Sequence, residues 1–255
     1  MAIYFVDKPE IKLNKPPLSE VVCQVRFPAI LRLSKDVPAE FQDAVRAQFP
    51  ILKVEQGILV QFPSVASPDN PMMESLPKIY RFRSTDEQKE LSLAPDFIAL
   101  TSRKYTHWQE FLKSMELAIQ ALIQQYQPPY ATRIGLRFVN RFTLKNTGYE
   151  TMEQVLGLFR PELTVMLKTD GWADPIEMLS QILLQDEQGK LTLRTVLGKE
   201  KDESFFILDL DYFEDEKLGL ENLHERLEHY HARIYAAFRW CVLDESLNRF
   251  SPVEE

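Results

Sequence analysis

The feature that most constrains the fold is a two-residue alternation of apolar and polar side chains in one segment after another. In residues 19–27, Val21, Cys23, Val25 and Phe27 share one face, and Val22 is the one apolar residue on the polar face. Successive side chains of a β-strand point to opposite faces, so this period is typical of a strand with one buried face. We predict further strands over residues 51–62, 78–84, 90–101, 131–144, 176–184, 190–199 and 204–213.

Two longer segments have the period of an amphipathic helix instead. One spans residues 107–127 and ends before Pro128 and Pro129, and the other spans residues 220–243. Their apolar stripes predict that both helices cover one face of the strands. The fold class that follows is α+β, with one or two curved antiparallel sheets and the two long helices packed on one face.

Two similar hairpins suggest that the halves of the chain are related. Residues 86–93 read DEQKELSL and residues 186–193 read DEQGKLTL. Each half is predicted to contain a short helix, antiparallel strands and a long helix. We predict a single α+β domain over residues 1–255, with a pseudo-boundary near residues 145–150. A duplication and a chance match both stay open at this point.

The charge of the chain disfavours one class of function. Lys and Arg total 30 against 38 Asp and Glu, for a net charge of −8. This is the wrong sign for nonspecific binding to a phosphate backbone, so we do not expect nonspecific nucleic-acid binding.

Three further features of the sequence indicate the cytoplasm. The sequence contains neither a signal peptide pattern nor an apolar run of ~18 residues, which predicts no membrane association. Cys23 and Cys241 are too few for a disulfide framework and too far apart for a zinc knuckle. We therefore predict two reduced core thiols in a cytoplasmic protein.

Three motifs resemble those of a known group of proteins. They are PPLSEVV at 16–22, YTHWQEF at 105–111 and RIGLRFVNR at 133–141. Together they resemble a sporadically distributed, functionally uncharacterised prokaryotic family of similar length, in which Tyr usually replaces Phe138. The resemblance implies one architecture along nearly the whole chain and a prokaryotic origin. The patchy distribution points to mobile or defence-associated gene sets, and the resemblance carries over no catalytic residue.

The strand at 131–144 places several arginines on one face, because they are separated by four residues. Positions four apart in a strand are ~13 Å apart, so the row could bind an extended anion such as a nucleotide or polyphosphate. The anion-binding candidates are Arg133, Arg137 and Arg141 of this strand, together with Arg81 and Arg83 of the predicted strand at 78–84. The alternative is that they pair with carboxylates on neighbouring strands, which the acidic composition favours.

The strand at 204–213 carries two carboxylates on one face. Asp209 and Asp211 are ~7 Å apart in such a strand, close enough to hold a divalent cation or to act as acid and base. No third acidic ligand is fixed by spacing, so we predict ion pairs with the arginines, no metal and no cofactor.

The remaining candidates form no catalytic set. The three histidines of the last helix, His224, His229 and His231, lack the spacing of three or four that a helical metal pair needs, and we interpret them as solvated or partner-facing. Trp172 lies in a turn, where it either plugs the core or faces a partner. No phosphate-binding glycine motif or nucleophile elbow occurs.

Two functions stay open. The first is a non-enzymatic binding or assembly subunit of a multi-component prokaryotic system, with a protein partner or a second copy of the chain. The second is an enzyme or sensor for a phosphorylated small molecule, with the arginine row as anion clamp and the two aspartates as metal or general-base groups. The lack of a complete catalytic set favours the first.

Overall fold

The computed structural model describes residues 5–56, 78–167, 171 and 175–253. The strands of this part of the chain are β1 (Leu18–Arg26), β2 (Ile51–Gln56), β3 (Lys78–Arg83), β4 (Lys89–Ala94), β5 (Phe97–Ser102), β6 (Arg133–Thr143), β7 (Met178–Gln185), β8 (Lys190–Glu200) and β9 (Glu203–Glu214). The helices are α1 (Leu31–Lys35), α2 (Ala39–Val45), α3 (Trp108–Tyr126), α4 (Leu144–Thr147), α5 (Met152–Leu156), α6 (Pro161–Thr164) and α7 (Leu223–Cys241). Short 3₁₀ turns follow at Val165–Leu167 and Asp244–Phe250.

The strands form one open antiparallel sheet, which confirms the predicted mixed α+β class. Across the described residues the order is β2-β3-β4-β5-β1-β6-β9-β8-β7. β1 and β6 therefore lie side by side near the middle, where Val22 pairs with Arg137. Along the chain, residues 145–150 contain most of α4 and the turn at Gly148, whose φ of 69° glycine adopts without strain.

The helices and one face of the sheet share a continuous core. α7 contacts β6 and β9, while α3 contacts β5, α2 and α7. Alternation along the central strands supplies the apolar side chains of this face, which include Cys23, Leu100, Leu136, Leu210 and Tyr212. Both cysteines are buried and free, as predicted, and burial raises the pKa of the Cys23 thiol to about 12. None of the described helices is long and apolar enough to cross a bilayer.

The predicted strand over residues 90–101 is wrong, because the chain reverses at Pro95. β4 ends at Ala94 and pairs back with β5 at Phe97. Proline has no amide hydrogen and cannot continue the ladder of a central strand, which explains the turn. The Pro95 carbonyl instead accepts a hydrogen bond of 2.8 Å from the Ile30 amide and so anchors the start of α1. The predicted strand over 51–62 is described only to Gln56, and the predicted loop over 63–77 lies outside the described residues.

The two ends of the described chain form a clasp, by which we mean residues 8–15 together with residues 250–253. The Asn14 amide donates to the Ser251 carbonyl at 3.0 Å, and the Val253 amide donates to the Lys12 carbonyl at 2.8 Å. The clasp also touches α7, since the Ile11 amide donates to the Tyr235 hydroxyl at 2.7 Å. The clasp thus covers one side of α7.

Candidate functional site

The face of the sheet that carries the arginine row is charged, whereas the opposite face forms the core. Arg133, Arg137 and Arg141 alternate with core residues along β6, and β9 lies next to β6 in antiparallel register. In that register Arg137 is opposite Asp211, and Val139 is opposite Asp209. The structure thus brings the arginine row and the two candidate aspartates together.

Asp209 lies at the centre of this charged face. Its Oδ1 accepts a hydrogen bond of 2.7 Å from Nε of Arg137, and its Oδ2 accepts one of 2.8 Å from Nη2 of the same residue. Arg194 of β8 donates from Nη1 to the same Oδ2 at 3.1 Å. The Asp209 side chain is only 5% exposed, so two guanidiniums compensate one buried carboxylate.

Asp211 pairs with the next arginine of the row. Nη2 of Arg133 lies 3.1 Å from Oδ2 of Asp211, and the guanidinium packs over the Phe213 ring. The arginine reaches its partner across Gly135, where a Cβ would lie 2.5 Å from Nη1 of Arg133. Burial raises the pKa of Asp211 above its ordinary value, against the lowering effect of Arg133.

Arg141, at the far end of the row, has a more exposed partner. Its Nη2 donates to Oε2 of Glu200 at 2.9 Å, and its guanidinium lies 4.2 Å from the centre of the Phe205 ring. The Glu200 side chain is 62% exposed. Because solvent screens such a pair, it contributes little to stability.

The arginines of β3 form a second network around one buried carboxylate. Glu90 accepts from Nη1 of Arg81 at 2.6 Å and from Nε of Arg83 at 2.8 Å. Burial alone raises the pKa of Glu90, but the hydrogen bonds from both arginines bring it below its ordinary value. Arg81 also donates from Nε to Glu55 of β2 at 2.6 Å. This network therefore joins the three strands β2, β3 and β4.

Each of the five candidate arginines therefore already has a carboxylate partner. Their charge is compensated within the sheet, and the observed geometry is that of cross-strand ion pairs. Within the described residues no three His, Cys, Asp or Glu side chains are grouped as a metal site would require. The anion-site hypothesis for the row stays a prediction that a ligand titration can test.

The edge strand β7 is the most exposed apolar element of the sheet. It pairs only with β8 among the described residues, so its outer backbone groups have no strand partner there. Leu179 is 67% exposed, Ile182 46% and Leu183 58%. Its sequence, MLSQILLQ, contains no charged residue. Native edge strands ordinarily carry charges or prolines that prevent pairing with another chain, and β7 has neither.

The histidines of α7 occupy three different environments. His224 is exposed and lies 2.6 Å from Glu116, while Nε2 of His229 lies 3.3 Å from the Tyr212 hydroxyl. The prediction that His231 is solvated is wrong, because its side chain is buried. Its ring stacks on the Trp108 ring, with 4.3 Å between the two ring centres.

A sequence signal for the burial of His231 exists. This residue follows Leu227 by four positions and precedes Ile234 by three, which places it on the apolar stripe of α7. The other residue assigned to a partner, Trp172, lies outside the described residues.

No family model matches the chain, and no curated protein is significantly similar to it. The resemblance to a sporadic prokaryotic family, based on three motifs, therefore stays a prediction.

Proposed function

We propose that the chain is a non-enzymatic assembly subunit of a multi-component system in the prokaryotic cytoplasm, and that it pairs with a second copy through β7. The observation that supports this proposal is the long, uncharged and exposed outer edge of that strand. Such an edge presents a row of backbone donors and acceptors to any strand that can align with it.

A comparison of the two sides of the sheet supports the same proposal. Outward from the middle, the order is β1, β5, β4, β3 on one side and β6, β9, β8, β7 on the other. We infer that the halves are related, with α3 and α7 as equivalent long helices packed on one face. In the first half, β2 covers the outer edge of β3. β7, the counterpart of β3, has no such strand among the described residues, and a second copy would supply it.

The sequence of β7 favours a second copy of the chain as the occupant. A two-fold axis through Gln181, perpendicular to the sheet, would pair β7 with itself in antiparallel register. Leu179 of one copy then lies opposite Leu183 of the other, and both point to the same face. The arrangement buries the exposed leucines against each other and places no like charges in opposition.

Two charge substitutions test this pairing by oligomeric state. We expect the wild-type chain to be a dimer in sedimentation velocity and in light scattering, and Leu183→Lys to be a folded monomer. Leu52→Lys is the matched control, because Leu52 is exposed on β2 at the other edge of the sheet. It should remain a dimer.

A cysteine substitution tests the register directly. The Cα atoms of residues that pair across an antiparallel ladder are about 4.5–5.5 Å apart, within the range of a disulfide. Gln181→Cys should therefore crosslink two copies under mild oxidation, whereas Val54→Cys on the β2 edge should not. Neither native cysteine competes, because both are buried. A monomeric wild-type chain, or a dimer that survives Leu183→Lys, would show that the proposal is wrong.

A further inference from the structure

A cavity of about 380 Å³ lies on the helix side of the sheet, on the opposite face from the arginine row. Phe138 and Asn140 of β6 form its floor, and His231 and Phe238 of α7 form one wall. The segment that leads into α3 supplies Tyr105, and the clasp residues from Glu10 to Asn14 close the top. Ligand cavities are ~300–1,000 Å³, so this one suits a small molecule.

Three polar side chains of the cavity have hydrogen-bonding capacity that no described residue uses. His231 is 9% exposed, and neither of its ring nitrogens is hydrogen-bonded within the part of the chain that the structure describes. Asn140 is 5% exposed and donates once, from Nδ2 to the Leu208 carbonyl at 3.3 Å, which leaves its Oδ1 and one N–H. The Tyr105 hydroxyl is the third. These groups line the cavity, where a ligand or a water molecule can complete their hydrogen bonding.

We propose that this cavity binds a planar, uncharged aromatic heterocycle with an amide-like edge, the chemistry of a nucleobase or nicotinamide. The free acceptor and donor of Asn140 form a two-point edge that matches a ring with adjacent donor and acceptor groups. The imidazole of His231 adds a single donor or acceptor. The aromatic rings of Tyr105, Phe138 and Phe238 provide faces on which a flat ring packs.

The distribution of charge around the cavity favours an uncharged ligand over an ionic one. Glu10 and Lys12 are the residues with permanent charges in its lining, and both are exposed. Burial lowers the pKa of His231 to about 4, so its ring is neutral at physiological pH. No buried cation of the lining is available to a phosphate or carboxylate, and burying such a group without a partner is costly.

Binding is measured by saturation-transfer NMR and calorimetry, with adenine, uracil and nicotinamide as probes. Toluene, which lacks a polar edge, and benzoate, which is charged, are the comparison compounds. We expect saturable binding of at least one heterocycle that is tighter than that of either comparison compound. The variants His231→Phe and Asn140→Leu keep the shape of the site and remove its polar groups. Each should weaken binding ~10-fold or more, because the polar edge of the probe then loses its partner.

His224→Phe is the matched control, since it lies on the same helix with an exposed side chain, and it should bind as the wild type does. Asn140→Leu gives an independent answer if His231→Phe folds poorly. The proposal is wrong if no heterocycle binds saturably to the wild-type chain, if toluene or benzoate binds as tightly, or if both cavity variants bind normally.

Discussion

Arg137 and Asp209 are joined by two hydrogen bonds, although they are not opposite each other in the sheet. The residue opposite Arg137 on β9 is Asp211, so the contact with Asp209 is diagonal. Arg194 on β8 is directly opposite Asp209 and reaches the same carboxylate from the other side. One aspartate therefore connects the three strands β6, β9 and β8.

Removal of both Arg137 and Arg194 should destabilise the protein more than removal of either arginine alone. A single change, Arg137→Ala or Arg194→Ala, leaves Asp209 with one partner, and we expect a loss of about 1–2 kcal/mol in the free energy of unfolding. The double variant leaves a buried carboxylate without a counter-charge, which costs about 3–5 kcal/mol. Urea unfolding curves measure both.

Arg141→Ala is the control for these variants, because its partner Glu200 is exposed. It should change the free energy of unfolding by less than about 1 kcal/mol. Equal losses for Arg137→Ala and Arg141→Ala would contradict a special role for the buried aspartate.

The anion-site hypothesis predicts a different response, which a thermal-shift panel of nucleotides and polyphosphates detects. We expect no increase in melting temperature for the wild-type chain, because the arginines of the row already pair with carboxylates. An increase that disappears in Arg137→Ala would instead support the enzyme or sensor alternative.

The buried histidine predicts a specific dependence of stability on pH. The pKa of His231 is lowered to about 4 in the folded chain, and a histidine in an unfolded chain titrates near 6.5. Between these values the unfolded chain binds more protons, so the free energy of unfolding falls as the pH falls. The contribution of the neutral His231 to the free energy of unfolding is fully present above pH ~6.5. On the order of 2–3 kcal/mol of it is lost by pH ~4.

His231→Phe should remove this part of the pH dependence, as measured by urea unfolding at a series of pH values. The difference between wild type and variant isolates His231, because the exposed His224 and the carboxylates titrate in both. Parallel curves for the two proteins would mean that His231 is not held neutral by burial.

The apolar stripes of the long helices make a simpler prediction. Leu122 and Leu227 are completely buried, so either substitution by Ala should cost ~2–5 kcal/mol of unfolding free energy. Ile123→Ala is the control, because Ile123 is 38% exposed and should lose less than about 1 kcal/mol. Thermal melts that show the same shift for Leu122→Ala and Ile123→Ala would contradict this assignment.

The local pattern of the sequence was sufficient for most of the strands and for the two faces of β6, but not for the turn that divides residues 90–101. Arg133 and Leu136 fall on opposite faces because alternation in a strand requires no knowledge of its neighbours. The pairing partner of each strand could not be predicted in this way. Val22 pairs with Arg137 across the sheet, and no periodicity in either segment specifies that partner.

The candidate site could likewise be predicted from the sequence only in part. The proximity of Arg137 and Asp209 could be proposed from charge, but Arg194 was missed because its role depends on the position of β8. The cavity was missed as well, since its lining comes from β6, α7, the start of α3 and the clasp. Such a site exists only after distant segments are brought together.

The central position of β1 has a consequence for the order in which the chain folds during synthesis. β1 is flanked by β5 and β6, so one of its edges can be paired only after β6 has left the ribosome. Until then the nascent first half presents an unpaired edge on a strand rich in valine. Pairing so distant in sequence slows folding, which makes this nascent intermediate the stage at which aggregation or chaperone capture would occur.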